Sequence, residues 1–184
     1  MIFSAMDIIR QELVNDGVNA DLGNISEIIN DINNNGQNAD VIISLINIEE
    51  NRISKSPENF IRKDGGILIK NPAVHLYLTL LFTSVRRAGA YGLSLQDQQN
   101  VIGFFQKKFV FDHSNTPALN VNIEKLILDM VSMNVEELQL LWSMLGGKYH
   151  PSIAYRMRMI TIDNTSEQKG SAITDISFNY LKTN

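Results

Sequence analysis

The segment Asn134 to Ile162, NVEELQLLWSMLGGKYHPSIAYRMRMITI, decides how the chain folds, because it spells a capped helix, a stop and a strand in succession. Asn134 is a favourable N-cap, and Glu137 stands three residues on, where its carboxylate reaches back to the free N–H of the cap. Leu138, Leu141, Trp142 and Leu145 follow at i, i+3, i+4 and i+7, so a single helical face carries four large apolar side chains. Gly146 and Gly147 supply the positive φ that closes a helix. Beyond Pro151, the run Ile153 to Ile162 is rich in residues that suit a pleated surface. Alternation sends Tyr155, Met157 and Met159 to one side of this strand and Arg156 and Arg158 to the other. The segment therefore predicts a sheet and its covering helix, and it holds no recognisable catalytic group.

Upstream, Lys125 to Met133 alternates Leu126, Leu128 and Met130 with Ile127 and Val131 and predicts a strand that feeds directly into this helix and strand. The strand-helix-strand unit spans about forty residues, enough for a right-handed crossover joining parallel neighbours. Before it, FDHSNTPALNVN reads as an irregular crossing. Ser94 with Asp97 forms a second capping-box pattern opening a helix with Val101, Ile102, Phe104, Phe105 and Phe109. Gly103 inside that helix costs about 1 kcal/mol relative to alanine, which predicts a close backbone approach there. Val74, Leu76, Leu78, Leu80 and Phe82 alternate within Ala73 to Val85 and predict the central strand. The stretch FIRKDGGILIK places Asp64-Gly65 between two short β-type runs and predicts a projecting hairpin. Val41 to Ile48 is apolar on both faces and reads as an interior strand. The Asn-rich span from Val18 to Asp40 reads as a loop with a short helical turn at Ile25, Ile28 and Ile29. Ile2, Met6, Ile9 and Leu13 keep helical spacing, and Gly17 stands at the C′ position of an opening helix.

The predicted class is α/β (α+β): a mixed sheet of about four main strands plus a hairpin, covered by about three helices. At 184 residues and 44% hydrophobic composition, the chain is long enough for one sizeable core. We read residues 1–162 as that single domain and 163–184 as a linker and C-terminal arm. A net charge of −4 argues against a general nucleic-acid binder. With no cysteine, disulfides and thiolate zinc sites are excluded. The amino terminus lacks a signal pattern, which predicts synthesis into the cytoplasm. The longest apolar run, Val74 to Phe82, is broken by His75, Tyr77 and Thr79 and falls far short of the roughly 20 residues of a membrane helix, so no membrane insertion is expected.

The chemistry-bearing residues do not converge. His75, His113 and His150 sit in three unrelated contexts with no metal spacing. Gly146-Gly147-Lys148 lacks both the first glycine and the hydroxyl residue of a phosphate loop. Glu49-Glu50 and Glu136-Glu137 are adjacent pairs that diverge in any regular element. No serine lies in a nucleophile elbow. The expectation is no enzyme, no catalytic residue, no metal and no cofactor. Trp142 and Tyr149 together have the makings of a stacking platform, yet Trp142 among three leucines at helical spacing reads as core. Arg156 and Arg158 leave two readings open, exposed surface and subunit contact, since arginine is enriched at interfaces.

An ordered set of blocks carries a family likeness: NIEE at Asn47 to Glu50, VIGFFQ at Val101 to Gln106, VF at Val110-Phe111, TPAL at Thr116 to Leu119, and LWSMLGGKYHPSIAYRMRMITI at Leu141 to Ile162. The chain resembles, over roughly residues 1 to 165, the amino-terminal domain of tail-cap proteins of phage-tail-like contractile injection systems, such as the antifeeding prophage and its virulence-cassette relatives. The helix-strand motif LWSxLGxxYxPSxxYxxR is the most specific part. What the resemblance implies is a structural tail terminator, not an enzyme. It would close the distal end of the inner tube as a homohexameric ring and join it to the last sheath layer. Its partners would be itself, the tube protein and the sheath protein, with no nucleic acid, in a particle assembled in the bacterial cytoplasm and then released or membrane-anchored. Phe104, Phe105, Trp142, Gly146, Tyr149, Pro151, Ser152, Tyr155 and Arg158 match the family pattern, Arg158 as a contact and the others as fold-defining positions. The Asn-rich loop at 30–40, the hairpin at 59–70 and the tail depart from it, so contacts there do not carry over. The other readings are another tail-completion adaptor, of sheath or baseplate, and a small-molecule-binding α/β domain.

In the tail, Ile176, Phe178 and Tyr180 alternate with Ser177 and Asn179, the pattern of a strand that buries one face. The preceding DNTSEQKGS gives this segment a flexible reach of very roughly 15–18 Å. Two readings stand: an arm that adds a strand to a neighbouring subunit or the sheath, and a frayed terminus.

Overall fold

The computed structural model describes residues 1–31, 39–51, 60–63, 66–69, 75–87, 89–161 and 168–170. In chain order its elements are α1 (Ile2–Asn15), β1 (Ala20–Leu22), α2 (Ile25–Asp31), β2 (Val41–Glu50), β3 (Phe60–Lys63), β4 (Gly66–Ile69), β5 (Leu76–Ser84), α3 (Tyr91–Lys107), β6 (Val110–Asp112), β7 (Ile123–Val131), α4 (Val135–Met144), β8 (Ser152–Thr161) and β9 (Gln168–Gly170). Six strands form the main sheet in the order β1-β2-β5-β8-β7-β6, and β3-β4-β9 form a second sheet. Among the described residues only β1 and β2 pair in parallel, and the other pairings are antiparallel. The sheet is mixed, as expected, with β5 and β8 at its centre. It has six strands where four were expected, because three-residue strands such as β1 and β6 are too short to show a period in sequence.

The two long helices cover one face. Ala5, Met6, Ile9 and Leu13 of α1 and Val101, Phe104 and Phe105 of α3 pack on Val41 and Ile43 of β2, Leu78, Leu80 and Phe82 of β5, and Tyr155, Met157 and Met159 of β8. α1 ends in a Schellman arrangement: the Val18 N–H reaches the Leu13 carbonyl and the Gly17 N–H the Val14 carbonyl, both at 3.0 Å, with Gly17 at φ +94°. The opposite face is covered by α2 and α4, where Ile25, Ile29 and Trp142 pack on Ile42, Leu81 and Ala154 with the half-buried Leu138, Leu141 and Leu145. α4 starts at the expected capping box, with the Asn134 side chain accepting from the Glu137 N–H and the Glu137 carboxylate from the Asn134 N–H, each at 2.9 Å. It stops at Gly146-Gly147, where the Gly147 N–H reaches the Trp142 carbonyl at 2.7 Å.

Several sequence expectations are corrected. β7 and β8 are antiparallel neighbours, with Val131 opposite Ala154, not parallel strands joined by a crossover. The length of the unit permits either topology, and a helix of only 10 residues with a sharp stop returns the chain to the sheet end it left. Val41 to Ile48 is interior only at its start: β1 pairs with Val41, Ile42 and Ile43 alone, and the strand is exposed from Asn47 onward. The span read as an Asn-rich loop holds β1 and α2, with Ile25 and Ile29 buried as its helical turn required; residues 32–38 lie outside the described ones. Ser94 and Asp97 do not cap a helix. α3 begins earlier, at Tyr91, and the Asp97 carboxylate accepts from Ser84 Oγ at 2.8 Å and from Arg86 Nε at 2.9 Å. Arg86 also meets Asp40 at 2.9 Å, so the network ties α3 to the sheet. Gly103 has no close neighbour, since a Cβ there meets nothing within 4 Å. The predicted hairpin is present as β3 and β4, with Lys63 opposite Gly66. Gln168–Gly170, inside the stretch read as a polar linker, pairs with Ile67–Ile69 of β4.

Candidate contact surface on the open half of the sheet

Residues directly opposite one another on neighbouring strands share a face. The register therefore sorts the second face of the main sheet into rows. The row Ser44, Leu81, Ala154 and Val131 lies on the side that α2 and α4 cover. The next rows, Asn47-Thr79-Arg156-Asp129 and Glu49-Tyr77-Arg158-Ile127, lie farther along the strands. None of these eight residues is buried. One half of this face is thus core, and the other is an open platform of alternating charge with two cations on its central strand.

Arg156 and Arg158, both predicted site residues, are brought together over one ring. Their guanidinium carbons lie 5.7 Å and 6.0 Å from the centroid of Tyr77, and the ring's negative face attracts both cations. The Asp129 carboxylate is 3.9 Å from Arg158 and 65% exposed, so water screens this pair. Arg158 Nε is shielded from solvent and donates to no acceptor among the described residues. A planar guanidinium with free donors is built to take a carboxylate in two-pronged fashion. Sequence reasoning missed Tyr77 and Asp129 as members of this surface. The parity that puts Tyr77 opposite Leu78 in direction was readable, but its pairing with Arg158 is a matter of register, which hydrophobic alternation alone does not fix between strands distant in sequence.

The remaining site residues lie elsewhere. Phe104, Phe105 and Tyr155 are core, joined by ring contacts of 5.0 Å between the phenylalanines and 4.4 Å between Phe105 and Tyr155. Burial raises the pKa of the Tyr155 phenol. Trp142 is 4% exposed and belongs to the smaller core, while Tyr149 stands 58% exposed with its ring edge-on to the indole at 5.9 Å. Trp142 is therefore core, and Tyr149 is a surface residue at its rim. Gly146 has φ +114°. The buried Pro151 carbonyl accepts from the Ser84 N–H and from Gln98 Nε2, both at 3.0 Å, which fixes the start of β8 against β5 and α3. Ser152 pairs opposite Thr83. His150 lies 5.9 Å from Trp142, and burial is the main cause that lowers its pKa, opposed by a hydrogen bond with the Ser84 backbone. Ile176, Phe178 and Tyr180 lie outside the described residues. Among the described residues no three His, Asp or Glu side chains gather as metal ligands, and no helix is long and apolar enough to cross a membrane.

The mixed sheet with helices on both faces matches the fold of solved tail-terminator structures. The solved structure of a PVC sheath/tube terminator, in the extended state of an extracellular contractile injection system, matches the chain with a TM-score of 0.60 at 14% identity, covering 100% of this chain and 64% of that one. The tube-terminating cap of the anti-feeding prophage matches with a TM-score of 0.50 at 14% identity, covering 77% of this chain and 49% of that one. The chain thus spans less than two thirds of the length of either. Among curated protein sequences none matches. The chain belongs to the Pvc16 N-terminal domain family, whose sequence model matches residues 6–175.

Proposed function

We propose that this chain is the terminator of a phage-tail-like contractile particle, a structural protein that closes the distal end of the inner tube and joins it to the last sheath layer. The observation that carries this reading is the agreement of family and fold: residues 6–175 match the Pvc16 N-terminal domain, and the whole chain adopts the fold of a protein described as a sheath/tube terminator. Closing the end of a tube calls for contacts repeated around its axis. A closed ring of copies, six for a six-fold tube, supplies them with one repeated heterologous contact. Arg156 and Arg158 act in this reading as contacts with acidic side chains of a neighbouring subunit, tube or sheath. Ile176, Phe178 and Tyr180 act as an arm that adds a strand to a neighbour's sheet edge.

Deletion of the gene tests the role directly. Particles from the deletion strain are expected to carry tails of irregular and often excessive length; a normal length distribution overturns the proposal. Microscopy of particle ends tests the ring, and density of another symmetry overturns six-fold closure. Because Gln168–Gly170 pairs with β4, the arm is best removed after Gly170. The shortened chain is expected to fold but to cap poorly, and wild-type occupancy would reduce the segment to a plain terminus.

A further inference from the structure

Arg156 and Arg158 stand two residues apart on β8 and therefore on one face of the sheet. Their like charges repel, and nothing in the strand itself draws the two guanidinium groups together. Tyr77 does so from β5. It lies directly opposite Arg158 and diagonal to Arg156, whose own partner there is Thr79, and an aromatic ring reaches both side chains from such a position. The guanidinium carbons sit 5.7 Å and 6.0 Å from its centroid, within the range over which a ring attracts a cation. The carboxylates of this face belong to the flanking strands. Asp129 on β7 reaches Arg158 only at 3.9 Å, and Glu49 on β2 accepts from Asn47 Nδ2 at 2.9 Å. Among the described residues Arg156 is within ion-pair distance of no carboxylate, although Asp129 is its register partner.

We propose that Tyr77 is the positioning residue of this platform, holding Arg156 and Arg158 as one fixed pair that takes two side-by-side carboxylates of a protein partner. The inference rests on the contact reading of the two arginines given above. A long side chain already held against a ring loses less freedom on binding than one that moves in solvent, so Tyr77 strengthens the contact without touching the partner. Each planar fork donates to one carboxylate. The cationic strip runs along β8 for roughly 6–7 Å, the interval of acidic residues two apart on a facing strand or four apart on a helix. Its shortness fits a pair of carboxylates. A nucleic-acid backbone would carry further phosphates onto Glu49 and Asp129, which repel them.

Particles assembled with variants of the full chain test this. Tyr77→Phe keeps the ring and is expected to cap tails like wild type. Tyr77→Leu keeps an apolar side chain without the ring's negative face and is expected to lower occupancy of particle ends about tenfold at subsaturating protein. Both variants are expected to melt within about 2 °C of wild type, which separates positioning from packing. Phenylglyoxal, which modifies guanidinium groups, is expected to label Arg156 and Arg158 about tenfold more slowly on particles than in the free chain, read by mass spectrometry. Wild-type occupancy with Tyr77→Leu, beside a defect in Arg158→Glu, overturns the role of Tyr77 and leaves the arginine contact standing. A Tyr77→Leu defect accompanied by a fall in Tm of more than about 5 °C assigns the ring to packing and overturns the proposal. Equal labelling on and off particles overturns both the positioning role and the contact. Binding of a single-stranded oligonucleotide to the free chain that disappears in Arg156→Ala assigns the platform to phosphates and likewise overturns both.

Discussion

The two faces of the main sheet are finished in different ways. Under α1 and α3 the core is closed by linked rings: Phe82, Phe105 and Tyr155 meet edge-on or tilted at 4.4–5.6 Å, and Phe104 continues the chain to Phe111 at 6.2 Å. On the other face, α2 and α4 cover the sheet only as far as Leu81 and Ala154, and the surface beyond ends in Arg156, Arg158 and Tyr77. A single strand serves both. Tyr155, Met157 and Met159 of β8 supply the closed face, and Arg156 and Arg158 between them supply the open one. The buried and the open face are therefore separated by strand parity, and substitutions one residue apart should differ in kind.

The largest effect belongs to the closed face. Phe105→Ala removes a ring touching Phe82, Phe104 and Tyr155 and should cost about 3–5 kcal/mol, a large part of the 5–15 kcal/mol typical of a domain. Urea denaturation checks it. A loss below about 1 kcal/mol would mean that the cluster relaxes and that the face is not closed.

Trp142→Ala probes the half-covered face and should cost about 3 kcal/mol, the lower end of the range, because its neighbours Leu138, Leu141 and Leu145 are themselves only partly buried. The indole Nε1 has no acceptor among the described residues. Trp142→Phe therefore gives up no hydrogen bond and should be milder than Trp142→Ala in the same denaturation experiment. A soluble Trp142→Ala protein with unchanged Tm and lost particle binding would turn this residue into a surface contact.

Asp97→Asn comes next. It keeps the shape of a carboxylate that is 9% exposed but removes the charge facing Arg86 and Ser84, at a cost of about 1.5–3 kcal/mol. Thermal melts check the value. No change would show that Asp40, the second partner of Arg86, suffices to hold the guanidinium.

Much of this contrast is legible in the sequence, and what is not has physical causes. The capping box at Asn134, the glycine stop and the parity of β8 all depend on residues within one turn or one pleat, so spacing alone reveals them. The antiparallel return of β7 to β8 is not local, and the length of the connection allows a crossover equally well. Ser94 and Asp97 misled for a related reason: the spacing of a capping box is also the spacing of a helix face, and Asp97 pairs instead with Arg86 just beyond β5. Arg156 and Arg158 stood out as cations on one face, but Tyr77 beneath them became visible only through register. Gly103 was read as a close approach, but a Cβ there meets nothing within 4 Å, so glycine inside a helical pattern did not by itself reveal a packing contact.

Arg156→Ala and Arg158→Ala should leave stability within about 0.5 kcal/mol, because the ion pair with Asp129 is exposed and long. Their expected effect is on capping of tails, read as occupancy of particle ends by microscopy. Charge reversal, Arg158→Glu, should be worse than alanine if an acidic partner seats there. Equal occupancy in all three variants would return the platform to plain surface.

The smallest effect is a pH dependence seated at the rim of the half-covered face. Burial beside Trp142 lowers the pKa of His150 below the ordinary 6.5. Between that lowered value and 6.5 the unfolded chain binds a proton that the folded chain does not. Stability is therefore complete above pH 6.5 and declines as the pH falls through the folded pKa. Asp112 behaves separately. Hydrogen bonds from Ser114 hold its pKa below 3.8, so its contribution disappears only at much lower pH, as acid reaches the ordinary carboxylate range and below. Tm measured from pH 7.5 down to 5 thus isolates the imidazole. His150→Gln should flatten that part of the curve. A slope that survives His150→Gln would place the titrating group elsewhere and leave the indole and imidazole as packing partners only.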